Sequence, residues 1–249
     1  MIKLYNIFKE CINEGIRYDN EEYSIDYEKD LVNDLIRFSD KISFKKDEYG
    51  NVVMIGIPVS KSEYKNKLLN NIKQGVNINP NDISFIVDKI ISNLTEYINL
   101  DDYDYVISPK SSSPLTKNLI DKLSSLSNNP TFISDLFLKN DVENIWLDIE
   151  TAEKELDPKH VKMLVKSFER SKQFGGQSMK LQRLGKYHRK YVMNMLKINS
   201  QYNNILVDML DKNILVIDDI ITSGKTLNDI RVTLSNLSTG QITLFTMFG

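Results

Sequence analysis

A short stretch near the end of the chain carries residue types that could bind a phosphorylated sugar. Four aliphatic residues, 214–217, are followed directly by the carboxylates of Asp218 and Asp219. The next part, Thr222-Ser223-Gly224-Lys225-Thr226, combines hydroxyl groups with a glycine and opens a predicted helix. Adjacent carboxylates accept hydrogen bonds from vicinal hydroxyls, while hydroxyl donors and the N–H groups at a helix start favour a phosphate. The pattern therefore predicts a site for a sugar phosphate.

Residues 223–226 also match the end of the P-loop that binds nucleotide triphosphates. That motif needs a glycine five residues before Gly224, and this chain has Asp219 there. The sequence therefore argues against a triphosphate loop and favours a monophosphate.

The elements around this stretch predict an α/β fold with a mostly parallel sheet flanked by helices. Strands alternate with helices after residue 100, and that alternation implies a parallel sheet with helical crossovers. Ligands bind such sheets at the carboxyl ends of the strands. The predicted strands are 103–108, 131–138, 214–217 and 241–248. One helix is predicted to begin at Pro114, and three more are predicted at 142–156, 158–172 and 226–237. Ser113 is predicted to cap the first of these helices and Asp157 the third.

Residues 1–100 have a different character, which predicts two domains. Two strands, at 42–44 and 51–59, are joined by the polar turn 47–50, and a helix is expected from Asn79-Pro80. We therefore predict an N-terminal accessory α+β region, 1–100, and a core, 101–249.

The composition of the chain excludes several classes of protein. The 249 residues are 41% hydrophobic, with a formal net charge of −2, which argues against a general nucleic-acid coat but leaves a local basic patch open. One cysteine, Cys11, excludes an internal disulfide and suits a reducing compartment. With Cys11, His160 and His188 alone, a Cys/His zinc site is excluded. No apolar run approaches a membrane span, so we expect a cytoplasmic protein without a membrane partner.

Residues 213–228 resemble the phosphoribosyl-pyrophosphate (PRPP) binding motif of type I phosphoribosyltransferases. That motif is a hydrophobic strand, two acids, two aliphatic residues and then Thr/Ser-Gly-x-Thr. The resemblance implies the fold of that family, with Asp218 and Asp219 on the ribose 2′- and 3′-hydroxyls and residues 222–226 on the 5-phosphate. Hypoxanthine/guanine-type members carry an acid where this chain has Thr222. The motif is therefore closer to orotate-type and ComF-like members.

Two further parts of that family have weaker counterparts here. The resemblance implies a pyrophosphate loop at residues 109–113, where Lys110, Ser111 and Ser112 would neutralise ligand oxygens; an ordinary capped loop is the alternative. It also implies a flexible loop within residues 173–189, where Arg183 and Lys186 would stabilise the departing pyrophosphate. A solvated basic face is the alternative for these residues.

The resemblance implies a transferase, and other interpretations stay open. An active member would transfer ribose 5-phosphate from PRPP to a nitrogen nucleophile, with Mg²⁺ on the pyrophosphate and the ribose hydroxyls. Homodimers are common in that family, and residues 1–100 would form a hood over the acceptor. The alternatives are a non-catalytic sensor of PRPP or a nucleotide that acts on a protein or nucleic-acid partner, and an α/β protein whose ligand site has decayed.

Overall fold

The computed structural model describes residues 41–57, 80–111, 113–173, 184–221, 223–237 and 240–249, together with three strands nearer the N-terminus. Those three strands form an antiparallel sheet in the order β2-β1-β3: β1 (Gly15–Asp19), β2 (Glu22–Asp26) and β3 (Ile36–Arg37).

A seven-stranded sheet lies at the centre of the described chain. Its strands are β4 (Ser43–Lys46), β5 (Val52–Ile57), β6 (Tyr105–Pro109), β7 (Thr131–Lys139), β10 (Leu196–Ile198), β11 (Ile214–Ile220) and β12 (Ile242–Phe248). The order is β10-β7-β6-β11-β12-β5-β4, and β8 (Trp146–Leu147) pairs with β9 (Val192–Met193) in a separate ribbon. The five inner strands run parallel, whereas the edge strands β10 and β4 run antiparallel to their neighbours. The predicted α/β fold with a mostly parallel sheet is therefore confirmed.

Helices cover both faces of this sheet. They are α1 (Pro80–Thr95), α2 (Pro114–Leu126), α3 (Ile149–Glu155), α4 (Pro158–Gln173), α5 (Asn203–Asp208) and α6 (Lys225–Asn236). On one face α1 and α2 pack against Leu215 and Ile217, and on the other α6 packs against Ile214 and Val216. Successive side chains of a strand point to opposite faces, so a strand covered on both sides must be apolar throughout. This explains the continuous aliphatic run at the start of β11.

The sheet continues across the boundary predicted at residue 100. The strands predicted in the N-terminal region are β4 and β5, and β5 lies parallel to β12, with Val53 opposite Leu244. The helix predicted from Pro80 is α1, and its apolar face joins the core that Leu215 and Phe245 share. Residues 41–57 therefore add two strands to the sheet that positions the candidate site, and the helix at 80–95 packs against that sheet.

The prediction of one helix over 142–156 is wrong. The chain there forms a 3₁₀ turn, Val142–Asn144, then β8 and finally α3. The Asp148 side chain accepts a hydrogen bond from the Thr151 N–H at 3.0 Å and so begins a new helix, while Trp146 and Leu147 pair with β9. The sequence analysis also missed β9, β10 and α5.

Residues 140–195 form an insertion between β7 and β10, with small apolar clusters of their own. One contains Ile145, Phe168 and Val192, and another contains Leu164 and Tyr191. The helix predicted at 158–172 is α4, and the Asp157 carboxylate accepts from two N–H groups of its first turn, as predicted. Residues 174–183 of the flexible loop predicted within 173–189 lie outside the described residues.

Candidate functional site

The two predicted ligand loops follow neighbouring strands. Strands β6 and β11 are parallel and adjacent, with Val106 opposite Leu215 and Ile107 opposite Val216. The strand-6 loop (residues 110–113) and the strand-11 loop (residues 221–224) therefore leave the same edge of the sheet.

Asp218 and Asp219 differ in their solvent exposure and in the face of the sheet on which they lie. Strand β11 extends to Ile220, so both carboxylates lie within the strand, and its alternation places Asp218 on the face of Val216 and Asp219 on the face of Ile217. Asp218 is half-buried, and its Oδ1 accepts a hydrogen bond from the Asp219 N–H at 2.8 Å. Asp219 is only 4% exposed. Asp218 is therefore the more accessible of the two acids.

Helix α6 begins without a side-chain cap. Gly224 occupies the N-cap position with a φ of +81°, in the left-handed region that suits glycine. Among the described residues, no hydrogen bond uses the backbone N–H of Ser223, Gly224, Lys225 or Thr226. Ser223 is buried, Thr226 is half-buried and Thr222 lies outside the described residues. The described part of the protein thus leaves these predicted phosphate donors unused.

The turn between β4 and β5 packs against the strand-11 loop. A Cβ atom added to Gly224 would lie 2.5 Å from the Asp47 Cβ, closer than carbon atoms can approach. The Glu48 N–H also donates to the Ser223 carbonyl oxygen at 3.5 Å. Two independent features therefore favour glycine at position 224: the positive φ angle and the short distance to Asp47.

The lysine of the predicted phosphate loop is held inside the protein. Lys225 is 4% exposed, and its Nζ lies 2.5 Å from Asp229 Oδ1 and 5.9 Å from the centre of the Tyr49 ring. Burial raises the pKa of Asp229, and the Lys225 charge opposes that shift. Lys225 thus anchors α6 to the hairpin turn, and its ammonium group faces Asp229 rather than the solvent.

Asn51 connects the same turn to α6. Its side-chain NH₂ donates to Asp47 Oδ2 at 2.9 Å and to Asn228 Oδ1 at 3.1 Å, and its oxygen accepts from Arg231. Asn51 is 3% exposed, whereas Asp47 and Asn228 are half-buried and Arg231 is exposed, so the network is buried at its centre and reaches the surface at Arg231. The sequence analysis predicted the turn but missed its contact with the loop, because the partners lie about 180 residues apart.

Among the described residues, the strand-6 loop is held by fewer contacts than the strand-11 loop. Lys110 is exposed, and its backbone N–H donates to the Phe137 carbonyl oxygen at 2.9 Å. Ser111 Oγ accepts from the Ser113 N–H at 3.1 Å, and Ser112 lies outside the described residues.

Ser113 holds the N-cap position of α2, as predicted, but its side chain makes no capping hydrogen bond. Its Oγ is buried without a partner among the described residues. A buried hydroxyl without a partner is costly, so Ser113 is a candidate ligand donor that the sequence analysis took for a cap alone.

The structure describes only part of the flexible loop predicted within residues 173–189. Arg183 and the side chain of Lys186 lie outside the described residues, although the backbone of Lys186–Tyr191 forms a 3₁₀ segment. Burial lowers the pKa of Arg189, and the nearby Glu48 carboxylate opposes that shift. Burial also lowers the pKa of His188, and the charge of His160 adds to the effect. Through Arg189, this segment approaches the hairpin turn that packs on the strand-11 loop.

The part of the chain that the structure describes contains no group of three His, Cys, Asp or Glu side chains arranged for a metal ion. Its helices include none with the length and apolarity to cross a membrane.

No family model matches the chain, and no curated protein matches it in sequence. Among solved structures, it is similar to a hypoxanthine phosphoribosyltransferase from Staphylococcus aureus. The identity is 15%, the TM-score is 0.34, and the match covers 73% of this chain and 70% of that chain. The case for the candidate site therefore depends on its own geometry.

Proposed function

We propose that the protein binds PRPP, or another ribose 5-phosphate, across the two loops. As a phosphoribosyltransferase it would transfer the phosphoribosyl group to a nitrogenous acceptor and release pyrophosphate. The observation that carries the proposal is the adjacency of the loops, with Asp218 near the end of β11 and N–H groups at the start of α6 that no described residue uses.

Each part of the ligand has a matching set of groups. The 5-phosphate suits the start of α6, where N–H groups and the helix dipole favour an anion. The ribose hydroxyls suit Asp218, because a half-buried carboxylate can accept two hydrogen bonds. The pyrophosphate suits the strand-6 loop, where Ser113 Oγ has no partner among the described residues and Lys110 supplies a positive charge. The roles of Ser111, Ser112, Thr222, Arg183 and Lys186 remain predictions.

The proposed chemistry is a substitution at C1′ of the ribose. The bond from C1′ to the pyrophosphate oxygen breaks, a bond from C1′ to the acceptor nitrogen forms, and the acceptor proton leaves to solvent or a base. Positive charge develops at C1′, so the protein contributes by positioning the ligand and stabilising the leaving group. Mg²⁺ is expected on the ligand, and it usually keeps several waters, so an all-protein cage is not required. Among the described carboxylates, we expect Asp218 to be the one that contacts the water molecules bound to Mg²⁺.

A non-catalytic PRPP sensor is the second candidate, and the composition of the strand-6 loop favours it. Stabilising a departing pyrophosphate requires cations, and among the described residues of that loop Lys110 is the one cation. A site that binds PRPP without enough free positive charge would act as a sensor.

Calorimetry with PRPP and Mg²⁺ tests the binding site. Replacing Asp218→Asn removes a charge-assisted acceptor, whose hydrogen bonds contribute about 1.5–3 kcal/mol each, so we expect affinity to fall about 10- to 100-fold. Asp121→Asn, on the exposed part of α2, is the control with the same change of charge and should leave affinity unchanged. Equal affinity of the Asp218 variant and the wild type would refute the assignment.

A pyrophosphate-release assay with a panel of purine and pyrimidine bases separates the two candidates. Release with any base supports the transferase, because it requires transfer of the phosphoribosyl group. Tight PRPP binding with no release for any base supports the sensor.

A further inference from the structure

The charges of this protein are segregated along the chain. Residues 158–197 contain eleven Lys and Arg residues and a single acid, Glu169. The rest of the chain contains 21 basic and 33 acidic residues. The near-neutral total therefore conceals a strongly basic segment, which runs from α4 to β10.

Helix α4 arranges part of this charge in one row. The residues concerned, which we call the α4 stripe, are Lys159, Lys162, Lys166 and Arg170. At about 100° per residue, their spacing of three, four and four places all four within a sector of about 80°. Their axial separations are about 4.5–6 Å, and the row is about 16 Å long.

The α4 stripe faces solvent, on the side opposite the packed face of the helix. All four side chains are exposed, whereas Leu164, Phe168 and Ser171 are buried. Among the described residues, no ion pair involves any of the four. Lys154 and Lys190, by contrast, are paired with Glu150 and Glu155. The stripe is therefore a row of cations that the described protein does not neutralise.

We propose that the α4 stripe binds the phosphate backbone of a nucleic acid. A nucleic-acid strand presents negative charges at regular short intervals, and a straight row of cations can follow them. Three of the four residues are lysines, which contact phosphates as point charges, and phosphate contacts carry no sequence information. The stripe also carries no aromatic ring on which bases could stack. We therefore infer binding without sequence preference.

The burial of the apolar face argues against a membrane as the partner. A helix that binds a bilayer surface inserts its apolar side into the lipid. Here Leu164 and Phe168 already pack inside the insertion, in its two apolar clusters. The exposed large apolar side chains of α4 are Met163 and Val165, so the exposed side offers mainly charge and little apolar surface to insert.

The proposal is independent of the ribose-phosphate site. Fluorescence anisotropy of the full chain with a labelled 20-base-pair DNA duplex, between 50 and 200 mM salt, tests it. Four phosphate contacts predict a slope of log K against log[salt] of about −3.6 for a duplex and about −2.8 for a single strand. Parallel titrations of the single strand and of RNA determine which form binds more tightly.

Neutralising two positions gives the decisive variant. Lys162→Gln/Lys166→Gln should make the duplex slope less steep by about 1.8 and weaken binding at 50 mM salt about 100-fold. The matched control is Lys45→Gln/Lys117→Gln, which removes the same charge from exposed positions on β4 and α2. It should change affinity less than about threefold, because distant charges are screened.

Three results would overturn the proposal: no binding at 50 mM salt, an equal loss in the control, or binding to phosphatidylserine vesicles but not to nucleic acid. PRPP affinity of the stripe variant should equal that of the wild type. Failure of the ribose-phosphate site would appear in the Asp218→Asn titration and would leave these measurements unaffected.

Discussion

The strand-11 loop and the strand-6 loop follow neighbouring strands but are supported very differently. The strand-11 loop packs against the hairpin turn through Gly224 and Asp47, and at the start of the next helix the buried Lys225 contacts Asp229 of the same helix and the Tyr49 ring of the turn. The strand-6 loop has an exposed Lys110 and a buried Ser113 hydroxyl without a partner among the described residues.

This difference indicates which part of a ligand meets a prepared site. Where the loop is already held in place, binding costs little conformational entropy, and the affinity reflects the contacts themselves. Where polar groups still lack partners, the ligand must supply them. We therefore expect the 5-phosphate to anchor the ligand and the pyrophosphate to be bound more weakly by the protein.

The largest effect should come from breaking the buried ion pair. Replacing Lys225→Met leaves the Asp229 carboxylate buried without its partner, and we expect a loss of about 3 kcal/mol in the free energy of unfolding at pH 7. Urea denaturation measures it. Lys154→Met is the matched control: it also removes an i,i+4 partner, but both groups of that pair are mostly exposed, and it should cost less than about 0.5 kcal/mol.

The same variant has a predictable pH dependence. Burial raises the pKa of Asp229 in the folded protein above its unfolded value, so the folded state binds a proton more tightly and stability falls as pH rises through the folded pKa. Removing Lys225 removes the charge that opposed this shift. The loss should therefore be small near pH 4 and grow towards pH 7. A loss that does not change with pH would contradict the assignment.

A smaller effect is expected at the glycine of the strand-11 loop. Gly224→Ala should cost about 2 kcal/mol, because the alanine methyl group meets Asp47 and adds to the cost of a left-handed φ. Gly50→Ala separates these causes, since Gly50 has the same φ of +81° with no atom within 4 Å of the added Cβ, and it should cost about 1 kcal/mol. Equal losses in the two variants, measured by urea denaturation, would show that Asp47 moves away without cost.

Local signals made much of the sheet predictable. The aliphatic run before Asp218 predicted β11, and the alternation of strands with helices predicted its parallel neighbours, because buried parallel strands are apolar on both faces. The capping carboxylate of Asp157 predicted the start of α4. The helix predicted over 142–156 was wrong, because Trp146 and Leu147 pair with a strand about 45 residues later, a partner that the local sequence does not indicate.

The contacts that hold the strand-11 loop and α6 in place could not be predicted from local sequence signals. Nothing near Asn51 in the sequence indicates that it bonds to Asn228 and Arg231, since that contact depends on how the hairpin packs on α6. Lys225 was expected among the ligand-binding residues, and only the folded protein shows that Asp229, one helical turn later, holds it. Its i,i+4 spacing was a signal that the sequence analysis left unused.

The smallest of these effects should occur at the strand-6 loop, and it should depend on the ligand. Lys110 is exposed and interacts with a charged ligand through solvent, so Lys110→Ala should weaken PRPP binding by about 1 kcal/mol, or roughly fivefold. Ribose 5-phosphate lacks the pyrophosphate, so its affinity should stay unchanged. Lys117→Ala, on the exposed side of α2, provides the control for a lost lysine. Calorimetry with both ligands gives the comparison. Equal losses for the two ligands would place Lys110 on the 5-phosphate side and would reverse the proposed orientation, because only a residue that faces the pyrophosphate can distinguish them.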